Sequence, residues 1–305
     1  MEKWFDSKLE KSNLRRHTIR RIRGGKPFGF TNNFFRKLSI TNWLIILNVV
    51  IYLLVIILIA LGVNELTVLS VFALQANGFF SGAFWTLLSS MFTHIWLPHL
   101  FFNMISLFFV GNFLEKIIGR KRFLWFYVIS GLFAGFFYAI LSFYFGVTEL
   151  GARIFIDPNA HSVGASGAIF GVAGLLSILT PMMKVYLIAG PIIAIIIQSF
   201  LSILFPNAAS LGIINFLVTF YIFFSIFSIF SFNPIIRRLS IPIRMHFWLL
   251  PLIAIIPLII IGLFVQLPIG NTAHLGGLIA GLTYGQYLKK KYRKKINFIS
   301  KYFNR

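Results

Sequence analysis

The sequence predicts an all-α, polytopic transmembrane helix bundle of about eight spans, with both termini on the inner side of the membrane. Three observations carry that prediction. Charged residues make up only 11% of the 305 residues, less than half of the roughly 25% that covers a soluble domain. Apolar residues make up 58% and gather into runs close to the ~20 residues that cross a bilayer as a helix. The basic residues, finally, fall almost entirely into alternate loops.

The apolar runs lie at 41–62, 98–114, 123–145, 164–180, 185–205, 211–232, 246–266 and 272–288. With the N-terminus inside, eleven Lys and Arg residues fall in 1–40. Lys116, Arg120, Lys121 and Arg122 occupy the 115–122 turn, Lys184 the 181–184 turn, and Arg237, Arg238 and Arg244 the 233–245 loop. Eight more follow residue 288, which leaves Arg153 outside. This is the positive-inside rule, and it accounts for a net charge of +21 without a nucleic-acid partner, so none is expected.

The expected organisation is a basic cytosolic arm (1–40), a transmembrane domain (41–288) and a basic cytosolic tail (289–305). The arm, with Arg15, Arg16, Arg20, Arg21, Arg23 and Lys26, lacks the short basic region and apolar core of a cleavable signal peptide. Arm and tail should be drawn to anionic lipid head groups at about 1 kcal/mol per basic residue near the surface. A plasma membrane of a prokaryote suits such a chain.

Between the first two runs, 63–97 is too apolar for a solvated loop. Phe72, Phe79, Phe80, Phe84, Trp85, Phe92 and Trp96 interleave with Gly and Ser, and aromatics of this kind settle at the membrane interface. The segment should form short helices half-sunk in the bilayer. Irregular backbone at that depth must be buried in protein or line a wet cavity. The 181–184 turn is short, so 164–180 and 185–205 should be adjacent and antiparallel.

Residue inventory narrows the chemistry. Cysteine is absent, which removes disulfides, thiolate metal sites and a cysteine nucleophile. The acids are Glu2, Asp6, Glu10, Glu65, Glu115, Glu149 and Asp157, none inside an expected span. Paired intramembrane aspartates, a His-Glu-x-x-His zinc site and a proton-coupled transport pathway all lack their acids. A serine activated by a histidine needs no carboxylate within the membrane, and no metal or cofactor.

Ser166 stands between Gly164 and Gly167 at the outer start of a run, with Gly171 and Gly174 beyond it. Taken alone, Gly167-x-x-x-Gly171 is equally a small-residue packing seam. At a helix N-terminus, however, the free N–H groups and positive dipole end can also stabilise an oxyanion. His274 opens the last run as His274-Leu275-Gly276-Gly277, followed by Gly281 and Gly285; alone it could be an interfacial or capping histidine. Two glycine faces with one reactive group each at similar depth point to a serine–histidine dyad, at the ~2.6–3.2 Å a general base requires. His99 and Asn103 share a face at i and i+4. They are either interhelical hydrogen-bonding groups or oxyanion donors.

These residues resemble the rhomboid family of intramembrane serine proteases. The likeness rests on Phe92-Thr93-His94-Ile95-Trp96-Leu97-Pro98-His99-Leu100-Phe101-Phe102-Asn103-Met104 with Gly111 and Glu115, on Gly164-Ala165-Ser166-Gly167-Ala168-Ile169-Phe170-Gly171, and on His274-Leu275-Gly276-Gly277 with Gly281. It implies Ser166 as nucleophile, His274 as base, and His99, Asn103 and the Ser166 N–H as oxyanion donors. Gly277 and Gly281 would be packing glycines, Phe170 an aromatic against the base, and His94 structural. The implied activity is a serine endopeptidase that cleaves transmembrane protein substrates in or near their spans; a proteolytically inactive, client-binding relative is the alternative.

Two features depart from the family. Trp85-Thr86 replaces its Trp-Arg loop pair. Three runs, not one, separate Ser166 from His274, so a six-span core is expected to carry two inserted helices within 185–245, with 246–266 as the core helix before His274.

Overall fold

The computed structural model describes residues 38–205, 211–229, 233–263 and 270–303. Most of the basic arm and the ends of two apolar runs (230–232 and 264–266) lie outside the described residues.

The first run forms α1 (Ile40–Ala60), in which only Thr41, Leu44, Asn48 and Val55 are buried. A helix apolar all round with so little packed against it suits a hydrocarbon surrounding. The following segment forms three short helices, α2 (Glu65–Phe72), α3 (Ala76–Phe80) and α4 (Thr86–Ser89), as its aromatic-rich composition predicted. This segment is pinned to the later 156–163 stretch. Leu74 and Ser162 exchange backbone hydrogen bonds of 2.9 and 2.8 Å, and Asn77 N–H donates to the Pro158 carbonyl at 3.0 Å. The Gln75 side-chain amide donates to the Asn159 carbonyl.

The second run is longer than expected. Helix α5 (Leu97–Ser106) passes through a π turn at Leu107–Gly111 into α6 (Asn112–Ile118). This extension takes Glu115 into the helix, correcting the expectation that no carboxylate lies within a span. Glu115 is buried and caps α1: Oε1 accepts from Ile40 N–H at 2.9 Å, and Oε2 from Thr41 N–H at 2.8 Å and Thr41 Oγ1 at 2.7 Å. An acid at a helix N-terminus satisfies orphan donors and the dipole together.

Helix α7 (Arg120–Phe145) leads to α8 (Glu149–Phe155), where Arg153, the basic residue expected outside, pairs with Glu149 at 2.6 Å. Helix α9 (Ser166–Leu179) is buried along most of its length, and packs between α7 and α14 (Asn271–Lys291). The buried cluster around it includes Met91, Tyr127, Ala168, Val172, Leu175 and Leu176.

The region between α9 and α14 differs from the prediction. Residues 184–188, read as turn and span, form strand β1 (Lys184–Ile188), which pairs antiparallel with β2 (Pro242–His246). Between the strands lie α10 (Ala189–Leu204), α11 (Leu211–Ile229) and the short α12 (Pro234–Arg238). Helix α10 packs chiefly on α11, not antiparallel along α9. β-branched and aromatic residues in Lys184-Val185-Tyr186-Leu187-Ile188 favour a strand, and a short apolar run does not by its periodicity tell strand from buried helix. Helix α13 (Leu250–Gly262), with Pro257 inside it, then precedes α14.

By length and composition, three helices among the described residues can cross a membrane: Ile40–Ala60, Leu97–Ile118 and Arg120–Phe145. Shorter apolar helices cover Ser166–Leu179, Ala189–Gln198, Gly212–Ser225 and Phe247–Gly262. The basic tail folds as α15 (Arg293–Phe303), whose buried Ile296 and Ile299 meet Ile117, Ile118 and Leu179.

Candidate active site

Helices α9 and α14 run side by side with their N-termini at the same end. Glycine makes the approach possible: a Cβ on Gly277 would overlap the Gly167 carbonyl, and one on Gly281 would overlap that of Gly171. Gly174 faces the Leu278 carbonyl, and Gly285 faces the Ile178 side chain. Backbone-to-backbone contact of this kind is the small-residue packing of membrane helices. It brings the first residue of α9 beside the fourth of α14, where His274 Nε2 lies 2.7 Å from Ser166 Oγ.

A hydroxyl this close donates to an unprotonated imidazole nitrogen, which puts the ring proton of a neutral His274 on Nδ1. His274 is 7% exposed, and no group among the described residues accepts from its Nδ1. No carboxylate therefore orients the ring. Phe170 does so by stacking, with centroids 4.4 Å apart and an interplanar angle of 19°. Phe170 lies one helical turn beyond Ser166, so one helix supplies both the hydroxyl and the surface that holds its partner ring.

The chain enters α9 through Gly164, whose φ of +118° is a conformation side chains disfavour. Its N–H donates to the Ser90 carbonyl at 2.8 Å. A Cβ there would press on the His99 ring at 2.7–2.8 Å and on Asn103 Nδ2 at 3.3 Å. His99 and Asn103, one turn apart on α5, thus close against the backbone two residues before Ser166. The Ser166 N–H, at the first position of α9, has no intrahelical acceptor. Backbone and side-chain donors converge on this corner.

His94, in the loop before α5, completes the cluster. Asn103 Nδ2 lies 2.9 Å from His94 Nε2, and the His94 and His99 rings meet edge to face at 5.0 Å. His94 is fully buried. Burial and the neighbouring His99 push its pKa down to about 3. It is a neutral ring that accepts from the Asn103 amide.

Thr86, in place of the family's loop arginine, is buried and donates to the Ala83 carbonyl at 2.5 Å. Trp85 Nε1 donates to the Val71 carbonyl at 2.9 Å, and Ser89 Oγ to that of Phe72 at 2.9 Å. The loop is therefore held by local side-chain-to-backbone bonds. Two relationships escaped sequence reasoning: the Asn103–His94 bond and the Glu115 clamp on α1. Both residues stood in the recognised motif. Only the fold, however, brings Glu115 to Thr41 across more than seventy residues. Among the described residues no group of three or more His, Asp or Glu side chains is arranged to hold a metal.

Comparison with known proteins agrees with the motif. Residues 81–217 match the rhomboid domain family model. The chain is 32% identical over 127 residues to RHOMBOID-like protein 12, mitochondrial, of Arabidopsis thaliana, covering 41% of this chain and 38% of that protein. It is 32% identical over 98 residues to the putative rhomboid protease YdcA of Bacillus subtilis, covering 32% and 42%. With the rhomboid protease AarA of Providencia stuartii it shares 29% identity over 205 residues, covering 66% and 54%. In each case the matched part spans only about two fifths to just over half of the relative's length.

Proposed function

We propose, from the premise that this chain belongs to the rhomboid family, that it is an intramembrane serine endopeptidase acting through Ser166 and His274. The observation that carries the reading is the 2.7 Å approach of Ser166 Oγ to His274 Nε2 at paired helix N-termini. Integral membrane character follows from the family and the apolar helices. The finer disposition we propose is a six-span core plus the α10–α11 hairpin, eight crossings in all. Both termini lie inside, with the arm and tail at the inner surface of a prokaryotic plasma membrane.

Length supports a recessed site. Fourteen residues of α9 rise about 21 Å, short of a hydrocarbon core of about 30 Å. With its C-terminal end at the inner face, α9 begins below the outer surface. The irregular 156–165 stretch leading into it then lines a wet cavity, and that cavity supplies the water.

In the proposed reaction a substrate span unwinds near the outer leaflet and presents a peptide carbonyl. Ser166 Oγ attacks the carbonyl carbon as its proton passes to His274 Nε2. The oxyanion is held by the Ser166 N–H, His99 and Asn103. His274 then gives the proton to the leaving amine as the C–N bond breaks. Water, deprotonated by the same nitrogen, releases the acyl group and restores Ser166.

The test is cleavage of a model transmembrane substrate by the full chain reconstituted in bilayers. Ser166→Ala and His274→Ala should each abolish cleavage. Cleavage that persists in either variant removes the dyad, and binding without cleavage by the unaltered chain favours the inactive client-binding alternative.

A further inference from the structure

Helices α7 and α14 line an open groove of about 520 Å³ that runs from the Arg122 end of the bundle up to Phe133, beside the Ala134–Gly167 contact. Its α7 wall carries Arg122, Trp125, Phe126, Ile129 and Phe133, and its α14 wall Ile279, Ala280, Thr283 and Tyr284. The volume is that of a small-molecule site, which typically spans about 300–1,000 Å³. Nothing in the proposed peptidase chemistry uses it.

The wall is apolar above a single charged group. Thr283 Oγ1 is bonded to carbonyls of its own helix, Ile279 at 2.9 Å and Ala280 at 3.0 Å. Ser130 Oγ is likewise bonded to the Tyr127 carbonyl at 3.1 Å. An extended peptide laid here would leave its N–H and C=O groups without partners, which a membrane interior does not tolerate. A hydrocarbon chain has no such groups. Trp125, Ile129 and Phe133 are 59%, 60% and 40% exposed, so the groove opens sideways to whatever surrounds the helices. Its floor is firm: the Phe126 and Tyr284 rings stack at 5.2 Å and 17°.

Charge selects the head group. Arg122 lines the groove at the end where Lys291 bonds the Tyr287 hydroxyl at 2.8 Å. Arg120, Lys121, Lys289 and Lys290 stand at the same end of the two helices. From Arg122 to Phe133 the helix rises about 16 Å, close to the ~15 Å depth of one leaflet's hydrocarbon. A guanidinium at head-group depth below an apolar channel one leaflet deep matches one occupant. The geometry points to a bound anionic glycerophospholipid, its phosphate on Arg122 and one acyl chain between α7 and α14. The inference rests on the transmembrane disposition proposed above and is independent of the dyad.

The experiment uses the full chain carrying Ser166→Ala, delipidated in neutral detergent, so that lipid retention is scored apart from proteolysis. Phosphatidylglycerol and phosphatidylcholine of identical acyl chains are added, and bound lipid is counted by native mass spectrometry beside the melting temperature. Phosphatidylglycerol should be retained at least tenfold more tightly. Arg122→Gln should remove that preference, Arg122→Lys should keep part of it, and Thr283→Trp should expel both lipids by filling the groove. A distant Arg238→Gln should change nothing. Equal retention of the two lipids by the parent chain overturns the site. So does unaltered retention in folded Arg122→Gln and Thr283→Trp.

Discussion

Asn103 Nδ2 lies 2.9 Å from His94 Nε2, so an amide beside the candidate oxyanion corner is held by a buried ring nine residues earlier. One N–H of the amide is engaged by His94, and the other is left to donate elsewhere. Asn103→Ala should lower kcat on a model substrate by roughly 100–1,000-fold with little change in KM. A rise in KM with kcat unchanged would mean that Asn103 serves binding and not the charged intermediate.

His94 also sets an acid limit on stability. Its pKa falls from 6.5 to about 3 on folding, so as the pH drops the unfolded chain takes up the proton first. The His94 contribution is complete above pH 6.5 and is lost progressively between 6.5 and 3. His94→Gln keeps an acceptor for Asn103 without titrating. Its melting temperature should therefore fall less steeply over that range than the parent's, and parallel slopes would assign the acid sensitivity to other groups.

Activity should have its own, separate pH dependence. A protonated His274 cannot take the Ser166 proton, so cleavage should decline as the pH falls. His94→Gln should leave the position of that decline unchanged. A rate with no acid limb over the range in which the chain stays folded would argue against an imidazole base.

The Gly277–Gly167 contact has no room for a side chain. Gly277→Ala must push α14 from α9, lengthening the Ser166–His274 approach and costing about 1–3 kcal/mol through overpacking. Activity should fall at least 100-fold, since small misplacements of reacting groups are costly. Gly285→Ala, whose nearest neighbours are side-chain atoms of Ile178, should retain most activity; equal losses in both variants would point to general destabilisation.

Glu115→Gln tests the clamp on α1. The carboxylate accepts three hydrogen bonds from Ile40 and Thr41, and bonds to a charged group contribute about 1.5–3 kcal/mol each. An amide can retain some of them. A loss of roughly 1–3 kcal/mol in unfolding is expected, with kcat/KM nearly unchanged in the molecules that remain folded.

Apolar periodicity made much of this readable in the sequence. Every apolar run contains one of the longer described helices. The glycines flanking Ser166 and following His274 foretold a close helix pair, because no other residue permits backbone contact there. Phe170 was expected on the base from the family motif, and it stacks on His274. Hidden were the features that depend on distant pairing. The β1–β2 ladder joins residues some sixty apart; locally one strand looks like the start of an apolar run and the other like a basic loop. Glu115 looked like the end of a span until α6 carried it to the N-terminus of α1. The tail appeared simply basic, although Ile296 and Ile299 share one helical face that docks on the bundle.

The ladder has a consequence for how the chain is assembled. Phe247 N–H donates to the Met183 carbonyl at 2.8 Å, so the polypeptide departs and returns through a gap one hydrogen bond wide. The α10–α11 pair nonetheless leans back on α5, where Phe223 and Phe227 meet Phe101 and Phe102 at ring-centroid distances of 5.7–6.2 Å. Its length can drift beyond the doorway without altering where α13 begins, whereas excising it would strip α5 of the rings that back Phe101 and Phe102. The Ser166–His274 approach is thus buffered from the length of the hairpin, but not from its packing on the helix that carries His99 and Asn103.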